Sequence, residues 1–231
     1  MDRKSAGSLL GRVPLFRGLS SGELDRMLER AAWRELPNGA TLIRQGEDPC
    51  ELHLVAEGRF KVATASPHGP QLLVRFMEPG DLVGCAAVFR RIPYPATATA
   101  VADSVALSWT AEQIGELVRR CPAVAGNALH IVGERTEEML QRLREIATEG
   151  VEQRLARAIL RLAAQRRAPP GRDAEIRLDV SRRDLAELAG VSLYTVSRML
   201  SGWEPQGIVR GGRQRITVRN LDRLKAIAQG S

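Results

Sequence analysis

Apolar residues recur along the 231-residue chain with two different periods, and the switches between them divide it. After a short helical opening, SSGELDRMLERAAWRE begins with serines able to cap a helix and then sets Leu24, Met27, Leu28 and Ala31 at helical spacing. From Pro37 the texture changes to short alternating runs: PNGATLIRQGED, ELHLVAEGRFKVATASPHG, QLLVRFMEPGDLVG and ATATAVADSVALSW. Runs of this length, broken by Gly or Pro roughly every 8 to 12 residues, predict an antiparallel sandwich or barrel with an interior able to hold a small ligand.

The helical period returns from Ala111 to about Gln165. Within it Leu129, Val132, Thr136, Met139, Leu143 and Ile146 advance by alternating steps of three and four, the a/d spacing of a coiled coil. Glu134, Arg135, Glu137, Glu138, Arg142, Arg144 and Glu145 flank that row, so the apolar seam is narrow. A narrow seam predicts pairing between two copies of the chain, a homodimer; the alternative is a helix lying on its own domain. Gly150 interrupts the helix before VEQRLARAILRLAAQ, where a hinge is expected, and RRAPPGRD reads as a loop because Pro169 and Pro170 stop the preceding helix.

Beyond the loop, EIRLDV alternates as a strand, Ser181 is placed to cap a helix, and Leu185, Ala186, Leu188 and Ala189 supply that helix with a buried side. Gly190 supplies a tight turn and Ser192 caps the next helix, LYTVSRML. Two short helices around a glycine turn, with the small Ala186 where they cross, predict a helix-turn-helix. GIVRGGRQRITV then reads as two short strands around Gly211 and Gly212, a basic wing. In the second helix Val196, Met199 and Leu200 share one face, while Tyr194, Ser197 and Arg198 crowd the other. Such a polar face suits the DNA major groove: Arg198 for a bidentate contact to guanine, Tyr194 and Ser197 for neighbouring groups. Arg182, Ser192, Thr195, Arg213 and Arg215 are assigned to phosphates, which position but do not specify.

Charge supports that assignment. The formal net charge is +7, yet residues 1–149 carry 18 Lys and Arg against 19 Asp and Glu, and residues 150–231 carry 16 against 8. A basic C-terminal third beside a neutral remainder predicts a polyanion partner, double-stranded DNA. Cys50, Cys85 and Cys121 are too widely spaced for a disulfide framework or a CxxC metal site. No signal peptide or long apolar run is present, so a cytoplasmic protein without membrane attachment is expected. GxSxG, HExxH, P-loop and paired-carboxylate motifs are all missing, which argues against an enzyme.

Taken in order, LFRGLSSGEL, the glycine-spaced NGATLIRQGE, LHLVAEGRFKV and PGDLVG, the long helix, VEQRLARAILRLA, and SRRDLAELAGVSLYTVSRML with GIVRG resemble the family of the cyclic-AMP receptor protein and the fumarate and nitrate reduction regulator (CRP/FNR). The resemblance implies an α+β chain in three parts: an effector-sensing antiparallel β-barrel of the jelly-roll, cyclic-nucleotide-binding-like kind over 1–115, a dimerisation helix over 116–149 and a winged helix-turn-helix over 150–231. It implies a homodimeric transcription regulator on a pseudo-palindromic operator, controlled by a small effector, and RNA polymerase as a partner if it is an activator. Half-sites would lie ~34 Å apart.

The same resemblance places an effector pocket at Gly84, Cys85, Tyr94, Pro95 and Thr97, with Met139 from the long helix. Family members that bind cyclic nucleotides carry a Glu for the ribose where Cys85 stands, and an Arg for the phosphate where this chain has Tyr94, Pro95, Ala96 and Thr97. A cyclic phosphate therefore lacks its charge-assisted partner unless Arg90 or Arg91 substitutes. No cysteine cluster marks the N-terminus, so no iron–sulfur cluster is expected. RIPYPATATAV is similar to a stretch in some haem-dependent sensors of nitric oxide or carbon monoxide, which makes haem a candidate with His53, His68, His130 or Cys85 as ligand. Better-known members also place a Glu at the position of Tyr194, so the half-site is expected to differ at one base pair. The alternative function is a cyclic-nucleotide-responsive regulator, or a nucleotide-binding regulatory subunit acting on a partner protein.

Overall fold

The computed structural model describes residues 2–65, 71–165 and 175–230; His68 and the RRAPPGRD loop lie outside them. The chain opens with helix α1 (Arg3–Leu10), a short 3-10 turn at Pro14–Phe16 and helix α2 (Ser21–Arg30). The Glu23 carboxylate accepts from the backbone and hydroxyl of Ser20 at 2.8 and 2.7 Å, which closes the first turn of α2. That helix stops at Arg30, earlier than its apolar spacing predicts. Ala31 is already extended, and Ala32–Leu36 forms strand β1, paired with β8 (Ser104–Thr110) from Ala32 opposite Ser108 to Leu36 opposite Ser104. A backbone ladder with a distant strand outweighs a helical spacing that Ala31 satisfies only by coincidence.

The remaining strands of this unit are β2 (Thr41–Ile43), β3 (Glu51–Glu57), β4 (Phe60–Thr64), β5 (Leu72–Met77), β6 (Leu82–Val83) and β7 (Thr97–Ala100). They form two four-stranded antiparallel sheets, ordered β1-β8-β3-β6 and β2-β7-β4-β5. The predicted barrel is thus two facing sheets, each with its own hydrogen-bonded order. Leu36, Val55, Val83 and Ala106 from one sheet meet Ile43, Phe60, Met77, Ala98 and Ala100 from the other in the core between them.

Strand β3 shows why a second layer is needed. Five of its seven residues, Leu52 to Ala56, are buried, and successive side chains point to opposite faces. Val55 faces the other sheet, whereas Leu52, Leu54 and Ala56 pack with Leu10, Phe16, Leu28, Trp109, Ile114, Leu117 and Val124 under a cover of helices. That cover is α1, α2, α4 (Ala111–Arg120) and the start of α5 (Ala123–Thr148). Trp109 is fully buried there, edge-on to Phe16 with ring centroids 5.6 Å apart, and its indole donates to the Met27 carbonyl at 2.7 Å. Helix α3 (Cys85–Arg90) lies between β6 and β7 in the chain.

The helical stretch from Ala111 breaks twice, at Cys121–Pro122 and at Glu149–Gly150, before α6 (Val151–Gln165). The first break was not visible in the periodicity; Pro122 enforces it. Compact packing divides the chain within α5, one unit ending at Glu138 and the other starting at Met139. In the second unit, β9 (Ile176–Leu178), α7 (Arg182–Ala189), α8 (Leu193–Trp203), β10 (Val209–Gly212), β11 (Arg215–Val218) and α9 (Leu221–Gln229) follow α6. Its sheet is antiparallel, ordered β10-β11-β9. The wing turn sits at Arg213 and Gln214 rather than at the glycines, which belong to β10; Gln214 takes the positive φ of 53°.

Gly58, in the turn between β3 and β4, has φ +77°, and an added Cβ would lie 2.5 Å from the Asp103 carbonyl oxygen and 2.7 Å from the Ser104 Cα. Backbone atoms cannot yield as a side chain can. Gly58→Ala is expected to destabilise the protein by about 2–4 kcal/mol, read as a fall in the denaturant midpoint; an unchanged midpoint would contradict this packing.

Candidate nucleic-acid interface and effector region

The helix-turn-helix is built from local signals. Ser181 caps α7 by accepting from the Asp184 backbone at 3.0 Å, while the Asp184 carboxylate accepts from the Ser181 hydroxyl at 2.6 Å. Gly190 ends that helix with φ 63° and ψ 45°, and Val191 donates to the Ala186 carbonyl at 3.0 Å, turning the chain into α8. Ser192 caps α8 through the Thr195 backbone at 3.0 Å, and the two hydroxyls share a 2.7 Å hydrogen bond. Val196, Leu200 and Trp203 are buried beneath α8, with Met199 half-buried at their margin. The Trp203 indole donates to Glu152 of α6 at 2.8 Å, and Arg154 of α6 donates to the Ala189 carbonyl at 3.2 Å. Both contacts fix α7 and α8 on α6.

The opposite face of α8 is open. Tyr194 is 75% exposed, Arg198 is exposed and Ser197 half-buried between them. Arg198 and Arg213 have no carboxylate partner among the described residues. Arg182 and Arg215 do: Arg182 lies 3.7 Å from Glu204 and Arg215 lies 3.4 Å from Asp179. Arg210 and Arg219 share Glu175 at 3.1 and 3.0 Å. Two features escaped the sequence reading. Leu193, at the first position of α8, is half-exposed beside Tyr194. Glu204 joins Arg182 and also accepts from the Gly211 backbone at 3.1 Å. A signal for Glu204 existed: it is the one acidic residue between Glu187 and Asp222.

The sequence-assigned effector residues fall in several environments. Tyr94 is buried between the sheets, donating its phenol to the Glu51 carbonyl at 2.6 Å and accepting from the Glu51 backbone at 3.1 Å. Gly84 sits against it with φ +85°; an added Cβ would lie 3.0 Å from the Tyr94 ring and 3.1 Å from the Glu51 carbonyl. Thr97 accepts from the Gln45 backbone at 3.0 Å, and Pro95 is exposed. Cys85 is buried on the helical side of the sheet, where burial pushes its thiol up to about 12 and keeps it protonated. Cys50 is exposed and Cys121 half-buried, donating its thiol to Glu23 at 2.7 Å. Met139 belongs to the second unit, on an exposed face of α5. Arg90 and Arg91 are both exposed.

The described residues do not fit a haem axial-ligand set. His53 of β3 alternates with Leu52 and Leu54 and so faces the inter-sheet side, where it is 2% exposed and its Nδ1 shares a 2.7 Å hydrogen bond with Ser108. His130 faces solvent on α5 and lies 3.3 Å from Glu134. These two and the protonated Cys85 occupy three separate surroundings. Along α5, Leu129 is 74% exposed and Leu143 62%, with Met139, Ile146 and also Leu140 more than half exposed. Thr136 is exposed and donates to the Val132 carbonyl at 2.9 Å, with Val132 half-buried. Leu140 makes the apolar face wider than the predicted seam.

A two-sheet unit followed by a long helix and a basic winged helix-turn-helix is the architecture of a DNA-binding regulator. Residues 153–227 match the Crp-like helix-turn-helix domain, and residues 33–121 the cyclic nucleotide-binding domain. The chain is 32% identical over 217 residues to the cyclic AMP receptor protein of Thermus thermophilus, covering 94% of this chain and 97% of that one. It is 26% identical over 209 residues to the fumarate and nitrate reduction regulatory protein of Salmonella typhimurium, covering 89% and 81%. Its fold is that of FixK2 from Bradyrhizobium japonicum, with a TM-score of 0.74 at 20% identity over 85% of this chain and 96% of that one. The chain belongs to the CRP/FNR family of DNA-binding transcription regulators and is not an enzyme. No helix among the described residues is long and apolar enough to cross a membrane.

Burial holds the His53 imidazole down to about 4, against the opposing pull of the Glu51 carboxylate and with the help of Arg34. The unfolded chain, with an ordinary value near 6.5, then binds the extra proton first as pH falls. The contribution of neutral His53 is complete above pH ~6.5, declines from there to pH ~4, and amounts to about 2 kcal/mol between pH 7 and pH 4.5. Denaturant melts at those two pH values are expected to show a larger loss for the wild type than for His53→Leu, by about that amount; equal losses would refute the assignment.

Proposed function

We propose that the chain acts as a cytoplasmic homodimer that reads a pseudo-palindromic operator through α8, under control of a small effector bound by the sensory unit, with RNA polymerase as partner where it activates. The observation that carries the DNA reading is the outward face of α8, where Arg198 is exposed and uncommitted between the caps and the buried anchors. A guanidinium free of any carboxylate can meet the O6 and N7 of guanine in two parallel hydrogen bonds. Tyr194 and Ser197 flank it, and Tyr194 lacks the negative acceptor that a Glu offers to cytosine N4. Arg182, Ser192, Thr195, Arg213 and Arg215 are assigned to the phosphates, with the hydroxyls of Ser192 and Thr195 already ordered by the helix cap. The exposed row Leu129, Met139, Leu143 and Ile146, together with Val132 and Thr136, supports a two-fold seam along α5.

For the effector, Gly84, Tyr94, Pro95 and Thr97 mark the proposed site, with Gly84 and Tyr94 as its frame, whereas Cys85 lies in the helical layer and Met139 belongs to the second unit. The phenol of Tyr94 is committed to backbone groups of Glu51, and no arginine stands at the phosphate end of the YPAT stretch. That favours an effector other than cyclic AMP. A second reading, a cyclic-nucleotide-responsive regulator, is favoured by the domain match over residues 33–121, and calorimetric titration with cyclic AMP decides between the two.

Arg198→Ala is expected to abolish preference for a duplex selected from a random pool, a loss of ~10- to 100-fold in the specificity ratio, while salt-sensitive binding to mixed-sequence DNA persists. Equal losses on both duplexes would overturn the assignment. Leu143→Glu sets a carboxylate in each copy of the seam and is expected to raise the dimer dissociation constant by ~100-fold or more, seen as a shift to monomer in sedimentation; an unchanged dimer would place the interface elsewhere.

A further inference from the structure

Between Glu187 and Asp222 every charged residue is an arginine except Glu204. A carboxylate in a surface assigned to phosphates needs a reason, because it repels the ligand. Its place adds a second cost, since Glu204 caps the C-terminal end of α8, where the helix dipole is already negative.

The surrounding geometry supplies the reason. The Oε1 atom of Glu204 accepts from the Gly211 backbone of β10 at 3.1 Å and lies 3.7 Å from the Arg182 guanidinium at the first position of α7. One carboxylate therefore joins both helices of the motif to the wing. Gly211 is the residue that permits it: a Cβ there would fall 2.5 Å from Oε1 and 3.2 Å from the Arg182 nitrogen. A glycine in a strand interior weakens the strand, and here it makes room for the carboxylate against the backbone. Both Glu204 and Arg182 remain 38–39% exposed, so their attraction is screened and a phosphate can displace it at small cost.

We propose that Glu204 is a positioning residue for DNA binding that does two separable things. Its acceptor oxygen holds the wing strand against the end of α8. Its charge neutralises Arg182 in the free protein, which holds down binding to DNA of any sequence. This rests on the assignment of Arg182 to the DNA backbone. Because Arg182 is already neutralised before it reaches a phosphate, its transfer from carboxylate to phosphate displaces fewer counterions than a free arginine would.

The test is the salt dependence of binding to a mixed-sequence duplex, combined with amide exchange at Gly211. Glu204→Gln keeps an acceptor and removes the charge. It is expected to tighten binding ~5-fold at low salt and to steepen the slope of log K against log salt by ~0.9 per subunit. On an Arg182→Ala background the same substitution is expected to change the slope far less. Gly211 amide exchange is expected to stay slow in Glu204→Gln and to rise in Glu204→Ala. An unchanged slope in Glu204→Gln, or equal steepening with and without Arg182, would overturn the charge role. Unchanged Gly211 exchange in Glu204→Ala would overturn the positioning role. If Arg182→Ala on the Glu204→Gln background leaves the slope untouched while Arg213→Ala flattens it, the assignment of Arg182 to phosphate fails, and the proposed charge role fails with it.

Discussion

Strand β3 is buried on both faces, and the first unit is organised around satisfying them. A strand with one apolar face needs one partner layer; a strand with two needs two, because successive side chains alternate across the sheet. Leu52 and Leu54 draw α1, α2, α4 and the start of α5 over one side, while Val55 draws the second sheet over the other. His53 is caught in that arrangement. Its alternation sends a titratable ring to the inter-sheet side, where Ser108 on the neighbouring strand supplies the polar partner that burial demands.

The second unit solves a different problem, presenting a polar helix without letting it drift. Its anchors are apolar, Val196, Leu200 and Trp203, but its orientation comes from hydrogen bonds made to backbone and carboxylate groups of neighbouring elements. Arg154 and Glu152 of α6 grip the end of α7 and the end of α8, and Glu204 carries the linkage on to the wing. The arginines around this frame fall into two electrostatic classes. Arg182 and Arg215 are held beside carboxylates, whereas Arg198 and Arg213 have none among the described residues.

Along the chain, legibility followed how local the determining physics is. The caps at Ser20, Ser181 and Ser192 and the turn at Gly190 act within four residues, and each stands where the sequence places it. The alternating runs and the helix-turn-helix were equally plain. Strand β1 carries the spacing of a helix end, and its identity as a strand depends on pairing with β8, some seventy residues away. The wing turn was misplaced by a residue or two for a related reason: Gly211 looks like turn chemistry, yet it is required by the Glu204 carboxylate lying against β10.

By itself the sequence determined the class of the protein, most of its elements and the polar face of α8, because periodicity, capping and charge are written residue by residue. Only the tertiary structure decided which polar groups are committed. That Tyr94 spends its hydroxyl on the Glu51 backbone, that Cys85 is a protonated thiol in an apolar layer, and that Glu204 reaches Arg182 and Gly211 are all long-range facts. They depend on which surfaces are excluded from water when distant segments meet, and no local pattern encodes that.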